Sequence, residues 1–242
     1  MNEKKLIIIP TYNEIHDIKI LIESIFDLKA DYHILVVDDK SPDGTGDFVE
    51  KLKKDFKNLD IIHREGKLGL GTAYIAGFKY ALKHNFDLIF QMDADQSHQP
   101  VHLSQFSEAI NDNDLVIGSR YIDGISIVHW DFKRLLMSKF ANWYSQTITG
   151  FKITDMTSGF RCFKRCVLET LNLDRVKSTG YSFQIEMAYK TAKAGFKVGE
   201  IPIIFVGRFH GTTKMTYRII AEAALVPWAL RFGFFKINNK KE

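Results

Sequence analysis

Residues 86–100 read FDLIFQMDADQSHQP, and the fold turns on how this stretch is taken. An apolar run of Leu88, Ile89, Phe90 and Met92 stops abruptly at Asp93-Ala94-Asp95, and a polar turn leads on to Pro100. A short apolar run closed by polar residues suits a strand buried on both faces of a parallel sheet. Carboxylates at i and i+2 of its carboxyl end then lie where open α/β sheets receive their ligands. Hard divalent cations such as Mg²⁺ or Mn²⁺ take carboxylate oxygens and usually share the ion with substrate phosphates. By itself an Asp-x-Asp also reads as a solvated acidic turn, so the surrounding chain has to decide.

Upstream, residues 6–9 are a β-branched run ended by Pro10-Thr11, a first strand. Thr11-Tyr12-Asn13-Glu14 puts a capping residue three positions before a Glu and predicts a helix over 15–28, with Ile15, Ile18, Leu21, Ile22 and Ile25 on one face. Residues 32–37 (YHILVV) read as a second buried strand closing on Asp38-Asp39. The turn Ser41-Pro42-Asp43-Gly44-Thr45 leads into a helix over about 47–56, and residues 59–63 make a third strand. Gly66-Lys67-Leu68-Gly69-Leu70-Gly71 opens another helix through Tyr74, Phe78 and Leu82. Such a loop can turn backbone amides toward a phosphate, although it carries neither the Lys-Ser/Thr of a P-loop nor the acidic residue of a dinucleotide fingerprint. Downstream, residues 114–118 (DLVIG) give a fifth strand that ends in Ser119-Arg120-Tyr121.

Strands alternating with helices predict an α/β fold, a doubly wound sheet through about residue 120. Glu14, Asp38, Asp39, Asp93 and Asp95 gather where strands one, two and four finish. Several carboxylates at neighbouring strand ends favour a ligand crevice over chance.

The totals are those of an ordinary globular chain: 242 residues, 45% hydrophobic and 26% charged. Two cysteines, Cys162 and Cys166, sit four apart without a metal-binding partner, which favours reduced packing thiols in a cytoplasmic compartment. The N-terminus lacks the pattern of a signal peptide. The net charge of +4 is unevenly placed, because from Arg208 onward seven Lys/Arg stand against only Glu222 and Glu242. A basic, apolar tail on a near-neutral body points to an anionic surface or ligand, and the lack of a basic stripe through the body argues against nucleic acid.

In the middle of the chain Trp130, Arg134, Ser138 and Asn142 recur every four residues, so a helix would present them on one face. Arg and Ser together could grip a phosphate; a solvated Arg134 is the plainer alternative. Residues 180–195 read as a helix carrying Glu186, and residues 198–206 (VGEIPIIFV) as a strand with Pro202 at an edge or bulge. The tail over 215–237 has no uncharged run near the ~20 residues that span a bilayer, and is read either as a helix in the membrane interface or as packing on the domain's own core. His98 and His210 flank the strand tip and are read as turn residues, and Asp155 and Glu186 as braces without direct contact.

Taken in order, these pieces resemble the family-2 glycosyltransferases, and within them the dolichol- (polyprenol-) phosphate mannose synthases. The matching stretches begin with Pro10-Thr11-Tyr12-Asn13-Glu14, Asp38-Asp39-Lys40-Ser41-Pro42-Asp43-Gly44-Thr45 and the Gly66–Tyr74 loop. Met92-Asp93-Ala94-Asp95, Gly118-Ser119-Arg120-Tyr121 and Thr157-Ser158-Gly159-Phe160-Arg161 follow. Ser178-Thr179-Gly180-Tyr181, Phe183-Gln184-Ile185-Glu186-Met187, and Arg208 with Gly211, Thr213 and Lys214 complete the set.

The resemblance implies a GT-A fold, a mostly parallel sheet with helices on both faces, in a catalytic domain over 1–215 followed by an amphipathic helix and basic tail over 216–242. It implies transfer of mannose from GDP-mannose to dolichyl or polyprenyl phosphate with inversion. Carried across by position, Pro10, Tyr12, Glu14, Val37 and Asp39 hold the nucleoside, and Asp93, Ala94 and Asp95 meet the ribose, diphosphate and metal. Arg120, Arg208 and Lys214 lie along the sugar diphosphate, and Arg134 and Ser138 receive the acceptor phosphate. Mg²⁺ or Mn²⁺ is expected on Asp93 and Asp95, with Ser97 where some relatives carry a metal-holding Gln. Asp95, Arg120, Arg208 and Lys214 are the expected catalytic set. Lacking the C-terminal membrane helices of some relatives, the chain looks like a short form that sits peripherally on the cytoplasmic face of a membrane, alone or with a small membrane subunit. The same fold with UDP-glucose or another nucleotide sugar, or a non-catalytic nucleotide-sugar-binding subunit, are the alternatives.

Overall fold

A computed structural model describes residues 3–176, 178, 180–207 and 217–234. In chain order the elements are β1 (Lys5–Thr11), α1 (Ile18–Phe26), β2 (Tyr32–Asp38), α2 (Thr45–Leu52), β3 (Leu59–His63), α3 (Leu70–Lys83), β4 (Leu88–Gln91), α4 (Leu103–Ala109) and β5 (Leu115–Ser119). There follow β6 (Ile127–Val128), α5 (Phe132–Thr149), β7 (Arg161–Lys164), α6 (Arg165–Thr170), α7 (Gly180–Lys193), β8 (Val198–Pro202), β9 (Phe205–Val206) and α8 (Tyr217–Arg231).

Among the described residues the main sheet has seven strands in the order β3-β2-β1-β4-β7-β5-β8, and β6 pairs with β9 beside it. All neighbours in the main sheet run parallel except β7, which is antiparallel to both β4 and β5. The side-chain alternation of a strand sorts the core onto two faces. Leu6, Ile8, Leu35 and Val37 pack toward α3, α6 and α7, and Ile7, Ile9, Ile34 and Val36 toward α1, α2 and α4. Helix α3 lies close on the sheet because Gly77 has no side chain: a Cβ there would come within 2.6 Å of Ile8. The chain leaves β1 toward β2 on one side and reaches β4 on the other, so the switch point of the sheet falls between β1 and β4, where open α/β sheets bind ligands.

Several expectations are corrected. Thr11 does not cap a helix: it is the last residue of β1, its hydroxyl donates to Asp38 Oδ1, and α1 starts at Ile18 behind Asp17. The stretch 198–206 is two strands, because β8 ends at Pro202 at the edge of the main sheet and β9 turns away to pair with β6. Cys162 is buried as a packing residue, whereas Cys166 is exposed. Of the two readings of the tail, packing on the domain's own core is met rather than corrected: α8 packs against α7 and α5, and Val226 and Leu230 join the main core.

Candidate active site

The tips of β2, β1 and β4 each bend into a loop through a left-handed residue other than glycine: Lys40, Asn13 and Gln96, with φ of 55°, 60° and 59°. Such conformations are uncommon for residues with a Cβ and gather at functional sites. The β2 tip splits its two carboxylates between different tasks. Asp38 is consumed locally, accepting from Thr11 Oγ1, Ser41 N and Ser41 Oγ. Asp39 faces the glycine-rich loop, with Oδ1 2.7 Å from Arg64 Nη1 and Oδ2 accepting from Leu68 N–H. Burial raises the Asp39 pKa against the pull of Arg64. Arg64 also donates to Gly69 O and Thr72 Oγ1, tying the loop to the strand tip. Across from it, Lys67 Nζ lies 4.1 Å over the Tyr12 ring. Pro10 is half-buried at the end of β1, and the Glu14 N–H donates to Thr45 Oγ1. Val37 is not brought into this opening, since its side chain is part of the core, and Ala94 is buried as well.

At the β4 tip Asp93 Oδ1 accepts from Tyr74 Oη at 3.3 Å, and Asp93 Oδ2 lies 4.0 Å from His98 Nε2. The Asp93 N–H donates to His98 Nδ1 at 3.0 Å, which places the ring proton on Nε2, facing the carboxylate. Burial lowers the His98 pKa against the pull of Asp93 and Asp95, so the imidazole stays neutral. Asp95 is buried and accepts from both Ser97 N and Ser97 Oγ. Asp93 and Asp95 therefore offer hard oxygen ligands at an open strand end. Among the described residues no group of three or more His, Cys, Asp or Glu forms a closed cage. Two carboxylates two residues apart at a strand tip suit a cation that also binds diphosphate oxygens. Ser97, expected beside the metal, is the donor that orients Asp95.

A chain of ring contacts joins this tip to the cations. The His98 ring stacks on Phe160 and meets Phe205 edge-on at 5.6 Å. Arg120 lies 5.5 Å over Phe205 and 5.4 Å over Trp130, and Arg134 lies 4.1 Å over the same indole. Arg120 is itself buried and gives Nε and Nη2 to Asp155 at 2.6 and 2.7 Å. Burial would raise the Asp155 pKa, but the Arg120 charge and hydrogen bonds hold it below the usual carboxylate value. Arg134 sits in the first turn of α5, behind the Asp131 cap that accepts its N–H, and Ser138 follows one turn on. Arg120, Arg134 and Ser138 together line a groove of about 960 Å³. Apart from Asp131, Lys133, Ser145 and Thr157 the rest of its lining is apolar and aromatic, including Phe132, Met137, Phe140 and Tyr144 from α5, Ile185 from α7 and Ala223 from α8. Arg208 and Lys214 lie outside the described residues.

His98, read from the sequence as a turn residue, supports the Asp93 backbone and carboxylate, and Asp155, read as a brace, fixes Arg120. Both contacts are made in three dimensions, and the only local signal was a His five positions after the first Asp.

The description of glycosyl transferase family 2 matches residues 6–171. The chain is 41% identical over 220 residues to an undecaprenyl-phosphate mannosyltransferase of Micrococcus luteus, spanning 91% of this chain and 90% of that protein. It is also 41% identical over 233 residues to a polyprenol monophosphomannose synthase of Mycolicibacterium smegmatis, spanning 95% and 88%. Among solved structures, glucosyl-3-phosphoglycerate synthase from Mycobacterium tuberculosis, in complex with Mn²⁺, UDP and glucosyl-3-phosphoglycerate, aligns with a TM-score of 0.67 and 16% identity over 99% of this chain and 82% of that one. A mannosyltransferase from Pyrobaculum calidifontis in complex with GDP-Man and Mn²⁺ aligns with a TM-score of 0.58 and 17% identity over 96% and 74%. At those identities the likeness to the solved structures is one of fold.

Proposed function

Because the chain belongs to glycosyl transferase family 2 and has the GT-A fold, we propose that it transfers mannose from GDP-mannose to dolichyl or polyprenyl phosphate with inversion. The observation that carries this reading is the continuity from acidic tip to cationic groove. Asp93, His98, Phe205, Arg120, Trp130 and Arg134 form one path of contacts, and it ends at an apolar channel.

The nucleoside would lie along the tips of β1 and β2, near Tyr12 and Asp39, with its diphosphate at Asp93 and Asp95. Those two carboxylates would hold Mg²⁺ or Mn²⁺, with Ser97 keeping Asp95 oriented; the ion supplies electrostatic stabilisation of the leaving diphosphate. Arg208 and Lys214 are assigned to the same diphosphate. The groove at Arg134 and Ser138 would seat the acceptor phosphate, and its apolar walls the first isoprene units. A phosphate monoester with a second pKa near about 6 is already largely dianionic at neutral pH, so its oxygen attacks the anomeric carbon without a protein base. GDP leaves from the opposite face, and positioning is the main task left to the protein.

The protein would work peripherally on the cytoplasmic face of a membrane. Among the described residues no helix is long and apolar enough to cross one. However, α5 exposes Phe132, Leu136, Phe140 and Trp143, and α8 with the residue after it exposes Trp228 and Phe232.

The test is incubation of purified protein with a short polyprenyl phosphate and a panel of labelled nucleotide sugars, with Mn²⁺, with Mg²⁺ or with chelator. A mannosyl lipid from GDP-mannose, lost with chelator, is the expected result. Product from UDP-glucose instead would replace the donor, and no product from any donor would overturn the enzyme. Asp95→Ala should cut transfer by about 10²–10³-fold. Full activity in that variant removes the metal role.

A further inference from the structure

The hydroxyl of Ser138 is arranged differently from others on its helix. Thr147 Oγ1 and Thr149 Oγ1 donate to the carbonyls of Trp143 and Ser145, four residues back, a common resting arrangement for hydroxyls in helices. Ser138 Oγ instead accepts a hydrogen bond of 2.7 Å from Tyr121 Oη. Among the described residues no acceptor takes the Ser138 proton, and the carbonyl four residues back, that of Arg134, receives nothing from it. Tyr121 stands two residues past the end of β5. It is anchored there by its N–H to Ser119 Oγ and by the Arg120 guanidinium 5.3 Å over its ring. The geometry of the pair makes Tyr121 the donor, and partial burial raises its pKa, so the phenol keeps the proton it gives.

A serine hydroxyl has one proton and two lone pairs. With one lone pair filled by Tyr121, the proton is free to turn toward the groove that Ser138 and Arg134 line. A hydroxyl that accepts one hydrogen bond is also polarised into a better donor for the next. We infer that Tyr121 is a positioning residue for the acceptor: its phenol sets Ser138 as a donor to an anionic phosphate oxygen beside Arg134. This rests on the assignment of Arg134 and Ser138 to the acceptor phosphate. Tyr121 itself does not line the groove and acts through Ser138.

The experiment compares Tyr121→Phe, Ser138→Ala and the double variant, with KM for a short polyprenyl phosphate and for GDP-mannose measured separately. Removing a hydrogen bond to a charged group by misdirecting its donor is expected to raise the acceptor KM about tenfold in Tyr121→Phe. The donor KM and kcat at saturating acceptor should stay at the wild-type value. The double variant should be no worse than Ser138→Ala alone, because the phenol has no other route to the phosphate. If Tyr121→Phe instead lowers kcat and weakens both substrates, or if its effect multiplies with that of Ser138→Ala, Tyr121 is structural and the inference is overturned. If Ser138→Ala raises the acceptor KM and Tyr121→Phe does not, the inference falls while the acceptor seat stands. If neither variant moves the acceptor KM, the seat itself is wrong and the inference falls with it.

Discussion

The two sides of the cleft hold their charges by different means. On the β1–β2–β4 side the carboxylates are on strand tips, so hydrogen-bonded neighbours in the sheet set their positions. Hydroxyls and an imidazole then trim the carboxylate orientations: Thr11 and Ser41 for Asp38, Tyr74 and His98 for Asp93. On the α5 side the cations end long flexible side chains, and aromatic faces hold them. Trp130 carries Arg134 on one contact and Arg120 on another, and Asp155 ties Arg120 from behind. Charges placed by backbone are costly to move. Charges placed by a few side-chain contacts can be released one at a time, so substitutions on the α5 side should separate binding from folding. Asp155 is the exception on that side, because its carboxylate is wholly buried.

The largest effect therefore belongs to Asp155→Asn. It leaves Arg120 buried without its counter-charge, a loss of about 3–5 kcal/mol for breaking a buried pair. For a chain of this length that lowers Tm by about 10 °C. The Asp155 pKa is depressed in the folded state, so the pair's stabilisation is complete above the ordinary carboxylate range near about 4 and is lost as pH falls through the folded value. The gap in Tm between wild type and variant should be constant at neutral pH and narrow on acidification, as thermal unfolding across a pH series would show. A gap independent of pH would mean that shape, rather than charge, ties the two sides together.

The same contrast explains what the sequence disclosed. The third strand lies over 59–63 as expected, and β2 and β4 are recognisable as short apolar runs closed by turns. Their signal is local, because a strand buried on both faces needs nothing but apolar residues. Strand β7 left no such trace. It is four residues, RCFK, entering antiparallel between β4 and β5, and it begins with a fully buried arginine. Arg161 is accepted there by the carbonyls of Met156, Ser158 and Gln184, partners that no periodicity indicates, and burial pushes its pKa down to about 9. The Asp93–Asp95 tip was legible for the same reason as β4. Its link to Arg120 was not, since that passes through His98 and Phe205, residues 107 positions apart in numbering and joined only by packing. The spacing of Arg134, Ser138 and Asn142 gave α5 but not its outward apolar stripe of Phe132, Leu136, Phe140 and Trp143.

Arg134→Ala should sharpen the comparison without disturbing the fold. Its guanidinium meets Trp130 at 4.1 Å and lines the groove, so under the proposed acceptor seat its removal would cost a charged contact to the phosphate and little packing. Loss of a hydrogen bond to a charged group corresponds to about tenfold or more in acceptor KM. GDP-mannose affinity, titrated alone by calorimetry, should not change. Equal weakening of donor and acceptor would place Arg134 at the diphosphate instead and move the boundary between the two sides.

The smallest effect is expected where the protein would meet a bilayer. Leu136 and Trp143 lie on the exposed stripe of α5, 59% and 60% accessible, and neither lines the groove. Exposed apolar residues of this size on one helix face, with Lys133 and Lys139 alongside, suit a helix lying among anionic headgroups. Replacing both with Glu removes apolar contact and adds repulsion, so sedimentation with phosphatidylglycerol vesicles should weaken by about tenfold. Turnover of a short, water-soluble polyprenyl phosphate should be unaffected, because that acceptor needs the groove and not the membrane. Unchanged vesicle binding would take α5 out of the membrane contact. Loss of turnover on the short acceptor would show that the stripe supports the groove instead, and that the α5 side, like the strand tips, cannot be altered without disturbing the site.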